Sequence, residues 1–209
     1  MTALDWAFVV FDYAAVAVFG ATGALAAARR KEDIVTFAFF AAITGVGGGT
    51  LRDLLIGAPV FWVNSPGYLI VCVLAALAVW VVGERTWRYF ALLWLDAVGL
   101  SAYAIVGAAK ALTMGVHPVS AVVMGVLTAT FGGVIRDVLA VAPSVLLRRE
   151  LYVSCALAGA AVFVILTWFG LNNLVASGAG FLSAFAIRAG AIRYGWALRG
   201  FPGKDKPGG

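Results

Sequence analysis

Two arginine–aspartate pairs, Arg52-Asp53 and Arg136-Asp137, stand inside long apolar stretches, and each follows a glycine pair at the same spacing. The shared pattern is G-G-x-x-R-D-x-L-x-x-A-P. It runs from Gly48 to Pro59 and again, 84 positions later, from Gly132 to Pro143. Ionised groups in hydrocarbon are costly unless paired, and they mark ion or substrate pathways. Glycines cost about 1 kcal/mol each against alanine in a helix. Together the two residue types suit a polar path through a membrane. Gly45, Gly47, Gly48 and Gly49 in one copy, and Gly132 and Gly133 in the other, are expected to interrupt the helical hydrogen-bond ladder. Carbonyls freed there would replace part of a cation's hydration shell, so K⁺ could sit on backbone oxygens near Gly48 and Gly132. The plainer alternative is close helix packing through small residues.

Three more intramembrane charges belong with the motif. Asp12 and Asp96 are also 84 apart. Neighbouring helical residues point about 100° apart, so Arg52 is not expected to face Asp53 well. Asp12 is the expected partner of Arg52, and Asp96 that of Arg136, with carbonyls at the kinks as the alternative. The arginines and aspartates either pin helices together or line and gate the path. Lys110 has no basic counterpart, since Ala26 occupies the equivalent position. It either snorkels to the head groups or occupies a cation site in the path. His117 beside Pro118 reads as a loop residue.

These residues need apolar elements to hold them. The chain has 209 residues, 63% hydrophobic and 12% charged, with a mean hydropathy of +1.00. A soluble domain carries about 25% charged residues. One histidine and two separated cysteines, Cys72 and Cys155, provide neither a nucleophile–base constellation nor a transition-metal spacing, so an enzyme is not expected. Apolar segments fall at about 5–28, 34–58, 67–84, 88–113, 118–142, 151–170 and 172–192. The net charge of +5 does not indicate nucleic acid, because the basic residues stand between apolar runs, at lipid head-group depth. Arg29, Arg30, Lys31, Arg85, Arg88, Arg148, Arg149, Arg188, Arg193, Arg199, Lys204 and Lys206 fall to one side. The positive-inside rule then puts the N-terminus outside and the C-terminus in the cytoplasm, as an odd number of spans requires.

The 84-residue offset aligns three spans with the next three, pairing Asp12 with Asp96, Gly23 with Gly107, Thr44 with Thr128 and Tyr68 with Tyr152. Three spans per copy is odd, so the copies are expected to insert with opposite topology about an axis in the membrane plane. The expected architecture is an all-α polytopic membrane protein. Its single transmembrane domain, 1–199, divides into repeat one (about 5–87), repeat two (about 88–171) and a seventh helix (about 172–198). A disordered tail, 200–209, follows. Trp6, Trp62 and Trp87 read as interfacial anchors.

Seven spans as 3+3+1, with G-G-G-x-x-R-D-x-L on the second and G-G-x-x-R-D-x-L on the fifth, resemble the prokaryotic branch of trimeric intracellular cation (TRIC) channels. The resemblance runs from about Asp5 to Arg193. It implies a homotrimer in the prokaryotic cell (inner) membrane, surrounded by lipid, with a separate pore in each protomer. It also implies conduction of monovalent cations, mainly K⁺ with some Na⁺, and no cofactor. Spans two and five would kink at Gly47–Gly49 and at Gly132 and Gly133 to line the pore. Lys110, in Gly-Ala-Ala-Lys-Ala-Leu, is similar to the family's gating lysine, with Asp12, Arg52, Asp53, Asp96, Arg136 and Asp137 as the other gating or pore-mouth charges. The acidic-basic lipid-binding motif of animal members is not found. The same bacterial sequences are sometimes grouped as glycine transporters, so a carrier of glycine or another small solute is the second reading.

Overall fold

The computed structural model describes residues 3–83, 89–142 and 151–198; the side chains of 3–8 and 89 are not described. The tail 200–209, the side chain of Trp6, and Trp87, Pro143 and the bases Arg85, Arg88, Arg148, Arg149, Arg199, Lys204 and Lys206 lie outside what is described. Among the described residues eight helices follow one another: α1 (Ala3–Arg30), α2 (Ile34–Leu55), α3 (Phe61–Asn64), α4 (Gly67–Val82), α5 (Tyr89–Thr113), α6 (Pro118–Leu139), α7 (Val153–Trp168) and α8 (Asn173–Tyr194). No strand occurs among the described residues. Five helices, α1, α2, α5, α6 and α8, are long and apolar enough to cross a membrane. The apolar α4 and α7 have 16 residues each, about 24 Å at 1.5 Å per residue. Aliphatic and aromatic side chains such as Ile70, Leu74, Trp80 and Val81 of α4 lie exposed, as a lipid-facing surface requires.

The helix ends follow from local chemistry. Asp33 caps α2 by accepting a hydrogen bond from Thr36 N at 2.8 Å, and that bond holds its carboxyl below the usual range. Pro118 fills the first turn of α6, where its missing N–H is no loss, and His117 Nδ1 accepts from Val119 N at 3.3 Å. After α2 the chain turns through Gly57 at φ 69°; after α6 it turns through Val141, 84 residues on, at φ 48°. A glycine enters that region freely, whereas a β-branched residue is strained there.

Packing repeats with the sequence. α1 packs on α2 and α4 as α5 packs on α6 and α7, and α2 meets α4 as α6 meets α7. The two sets join through α2–α6 and α1–α5 contacts, while α8 lies on α5 and α7. At the α1–α5 junction Phe19 stacks on Tyr103, its counterpart 84 residues on, with ring centroids 5.1 Å apart. At the α2–α6 crossing a Cβ on Gly48 would strike the Thr128 carbonyl, and one on Gly132 would strike the Thr44 carbonyl. These two contacts exchange under the same offset.

This crossing corrects the expectation of interrupted helices. α2 and α6 are helical without a break through Gly45, Gly47, Gly48 and Gly49 and through Gly132 and Gly133. Gly48 and Gly132 bring the two backbones into contact, which any side chain there would prevent. The Gly45 carbonyl accepts the Tyr103 hydroxyl at 3.0 Å, so it is not left for an ion.

Candidate functional site

Each motif pair ends its helix, and in both the arginine folds back onto the adjacent aspartate. Arg52 Nε lies 2.9 Å and Nη2 2.8 Å from Asp53 Oδ1. Arg136 Nε lies 3.0 Å and Nη2 2.9 Å from Asp137 Oδ1. The expectation that neighbours on a helix face apart is therefore corrected. The arginine arm is long enough to span the 100° step, and burial removes the water that would compete.

The two clusters differ in their remaining partners. In the first, Lys110 Nζ reaches across from α5 to lie 2.8 Å from both oxygens of Asp53. The backbone N–H of Phe61 adds a third donor at 3.0 Å. Short α3 places Phe61 under Gly49, where a Cβ would come within 2.7 Å of the ring. The ring also lies 5.9 Å from the Arg52 guanidinium and 5.8 Å from the Lys110 ammonium, which favours both cations. Trp62, expected as an interfacial anchor, donates to Thr50 Oγ1 at 2.9 Å. Asp12 does not pair with Arg52 as expected; its Oδ2 accepts the Tyr68 hydroxyl at 2.6 Å. Tyr68 is fixed by stacking on Tyr13 at 4.1 Å and by an edge contact with Phe61 at 4.7 Å. Asp12, Tyr68 and Lys110 border a cavity of about 560 Å³ between α1, α5 and α8.

In the second cluster Asp96 partners Arg136 as expected, with Nη1 at 2.8 Å from Oδ1. Arg136 Nη1 also donates to Thr22 Oγ1 of α1 at 3.1 Å. Gly133 makes room for this network: a Cβ there would lie 2.7 Å from Tyr152 Oη, 3.6 Å from Arg136 Nη2 and 3.7 Å from Asp96 Oδ1. The side chain of Lys110 is 29% exposed, whereas those of Arg136 and Asp96 are 1% and 2% exposed. One cluster is open to its surroundings and the other is sealed.

Sequence reasoning missed one cation. Arg188 was counted with the cytoplasmic bases, but it lies within α8 and is fully buried. Its Nη1 donates to the Leu151 carbonyl at 3.1 Å, and its guanidinium lies 5.2 Å from the Tyr152 ring centroid. The available signal was its place five residues inside Arg193, in the last apolar segment. Phe61 gave no signal, because its role comes from tertiary placement. Lys110, for which snorkelling and a place in the path were the two expectations, has its ammonium at Asp53.

These contacts describe two neutral sets of four charged side chains, joined by the glycine crossing of α2 and α6. The comparisons with known proteins agree with the repeat. A family model described as Glycine transporter matches residues 9–84 and again 93–168, an offset of 84. The chain is 36% identical over 206 residues to a UPF0126 membrane protein of Vibrio cholerae, covering 96% of this chain and 85% of that one. It is 35% identical over 192 residues to the UPF0126 inner membrane protein YadS of Escherichia coli, covering 90% and 92%. Among solved structures it is similar to the TRIC trimeric intracellular cation channel orthologue from Rhodobacter sphaeroides. That likeness has a TM-score of 0.88 at 47% identity, over 91% of this chain and 99% of that one. A second TRIC cation channel, studied for its conductance, gives a TM-score of 0.84 at 31% identity over 95% and 98%. The doubled glycine–arginine–aspartate motif, the all-helical membrane fold and these likenesses place the chain in the prokaryotic TRIC family, as a multi-pass membrane protein.

Proposed function

We propose that the chain is a K⁺-permeable, monovalent cation channel that assembles as a homotrimer, with one pore inside each protomer. The observation that carries this reading is the likeness to TRIC cation channels over nearly the whole chain, at up to 47% identity. The geometry supports it physically. Two charge clusters flank one helix crossing within a single chain, and each is compensated, as charges on a membrane path must be.

The protomer is read as one membrane domain: inverted repeats over about 5–87 and 88–171, then a seventh helix over 172–198. Each of the seven spans corresponds to one of the seven longer helices. The orientation is N-terminus outside. Arg30 Nη1 donates to the Ala140 carbonyl at 2.7 Å, so the basic α1–α2 turn lies beside the end of α6. The Asp137 cluster then faces the cytoplasmic side and the Asp53–Lys110 cluster the outer side, in the inner membrane of a prokaryotic cell.

The path is lined by α2 and α6. These helices touch at Gly48 and Gly132, so conduction requires their separation there, and glycine is what lets a small movement open or close the gap. Lys110 gates the outer end: its ammonium neutralises Asp53, and a permeating cation takes its place when it withdraws. Permeant K⁺ and Na⁺ need no cofactor.

Single-channel recording in planar bilayers tests this reading. Discrete current steps with a reversal potential set by the K⁺ gradient are expected. Saturable glycine uptake without steps would instead support the carrier that the family model's description suggests.

A further inference from the structure

The two copies of the motif hold the same four side chains in opposite arrangements. In copy one the first-helix carboxylate, Asp12, is bonded to the phenol of Tyr68 at 2.6 Å. In copy two the equivalent Asp96 is bonded to Arg136 at 2.8 Å. There both Asp96 Oδ2 and the Tyr152 hydroxyl are buried without a hydrogen-bond partner among the described residues. A buried unpaired polar atom is unfavourable, so these two oxygens call for an arrangement in which they are used. The Tyr152 hydroxyl and the Asp96 carboxyl group, through its Oδ1, both border the space that Gly133 leaves.

Resting on the channel reading, we propose that Tyr68 and Tyr152 are gate-positioning residues, each competing with the arginine of its own copy for one carboxylate. Asp12 exchanges between Tyr68 and Arg52, and Asp96 between Arg136 and Tyr152. The structure holds copy one in the tyrosine arrangement and copy two in the arginine arrangement. The neighbours explain why the two copies differ. Lys110 gives Asp53 a second cation, which lowers the demand of Arg52 for another carboxylate. Stacking on Tyr13 and Phe61 keeps the Tyr68 phenol aimed at Asp12. Around Tyr152, by contrast, the Arg188 guanidinium lies over the ring, holding it in an arrangement that leaves its hydroxyl unbonded. No residue changes charge in the exchange. A carboxylate moves from one donor to another, opening or closing the polar surface offered to a cation.

The test uses the full-length protein in lipid bilayers, labelled with ¹³C at the aspartate carboxyls and compared with Tyr68→Phe and Tyr152→Phe. Asp12→Asn and Asp96→Asn assign the signals. In the parent, the Asp12 signal is expected to differ from that of Asp96. Tyr68→Phe should bring it to the arginine-bound shift of Asp96 and alter channel dwell times about tenfold, as expected for one hydrogen bond to a charged acceptor. Tyr152→Phe should leave the Asp96 shift unchanged, because the phenol is not bonded to it at rest. An Asp12 signal that stays in place in Tyr68→Phe, or moves to that of a water-solvated carboxylate, overturns the exchange. A parent that passes no K⁺ current removes the channel reading instead, and the carboxylate shifts still decide the exchange.

Discussion

The Asp53 and Asp137 clusters begin from the same six letters, G-G-x-x-R-D, and reach charge balance in inverse ways. At Asp53 two cations, Arg52 and Lys110, converge on one carboxylate, while the second carboxylate rests on a phenol. At Asp137 two carboxylates, Asp96 and Asp137, converge on one guanidinium, while the second cation, Arg188, lies over an aromatic ring. With all four groups ionised, each set sums to zero. The motif fixes only the arginine–aspartate chelate. What the chelate can do depends on a residue from outside its own repeat: Lys110 from the opposite copy, or Arg188 from the last helix. The lysine sits at an accessible edge, as the proposed gate requires. The arginine is sealed and suits a fixed support.

Breaking what the copies share should have the largest effect, and an equal one in both. Gly48→Leu or Gly132→Leu drives a side chain into the backbone of the opposite helix. Each is expected to lose about 3 kcal/mol or more and to give little folded oligomer by size-exclusion chromatography. Gly178→Ala, where a Cβ meets open space, should elute as the parent does.

Removing the arginines should separate the copies. Arg136→Gln removes the one guanidinium that Asp96 and Asp137 share and is expected to cost about 3–5 kcal/mol in thermal unfolding in detergent. Arg52→Gln leaves Lys110 on Asp53, so its cost should be about half of that. Equal losses would mean that Lys110 does not share the charge.

Lys110→Gln should be milder still, about 1 kcal/mol in stability, since a part-exposed cation contributes little and Arg52 remains. Its effect should appear in recordings as a higher open probability.

The smallest change concerns the turn. Val141→Gly gives copy two the residue that copy one has at Gly57, relieving a strained φ. It is expected to raise stability by at most about 1 kcal/mol, read as a small upward shift in melting temperature.

The helices were legible because hydrophobic length and breaks such as Asn64-Ser65-Pro66-Gly67 leave few choices, and the 84-residue offset was legible because rare residues recur in register. Asp96 as partner of Arg136 followed from that register. The same logic failed for Asp12 and Arg52. A symmetric sequence signal cannot show that Lys110, without a counterpart, reaches Asp53 and changes the pairing. For the glycines propensity counts only their cost and so favours helix breaks over the alternative, close helix packing. Their benefit, two backbones in contact at Gly48 and Gly132, depends on a partner helix that no local pattern reveals. Arg188 was hidden in the same way: near a basic C-terminal end it looks like another head-group contact until α8 is packed on α5 and α7.

Recording K⁺ current from the parent and from Lys110→Gln in the same planar bilayers, at matched protein density and under a KCl gradient, is the most direct measurement. Discrete cation-selective steps in the parent, with unchanged step size but raised open probability in Lys110→Gln, are the predicted result. No steps from a folded, oligomeric parent, together with saturable uptake of glycine, would contradict a gated cation path between the two clusters.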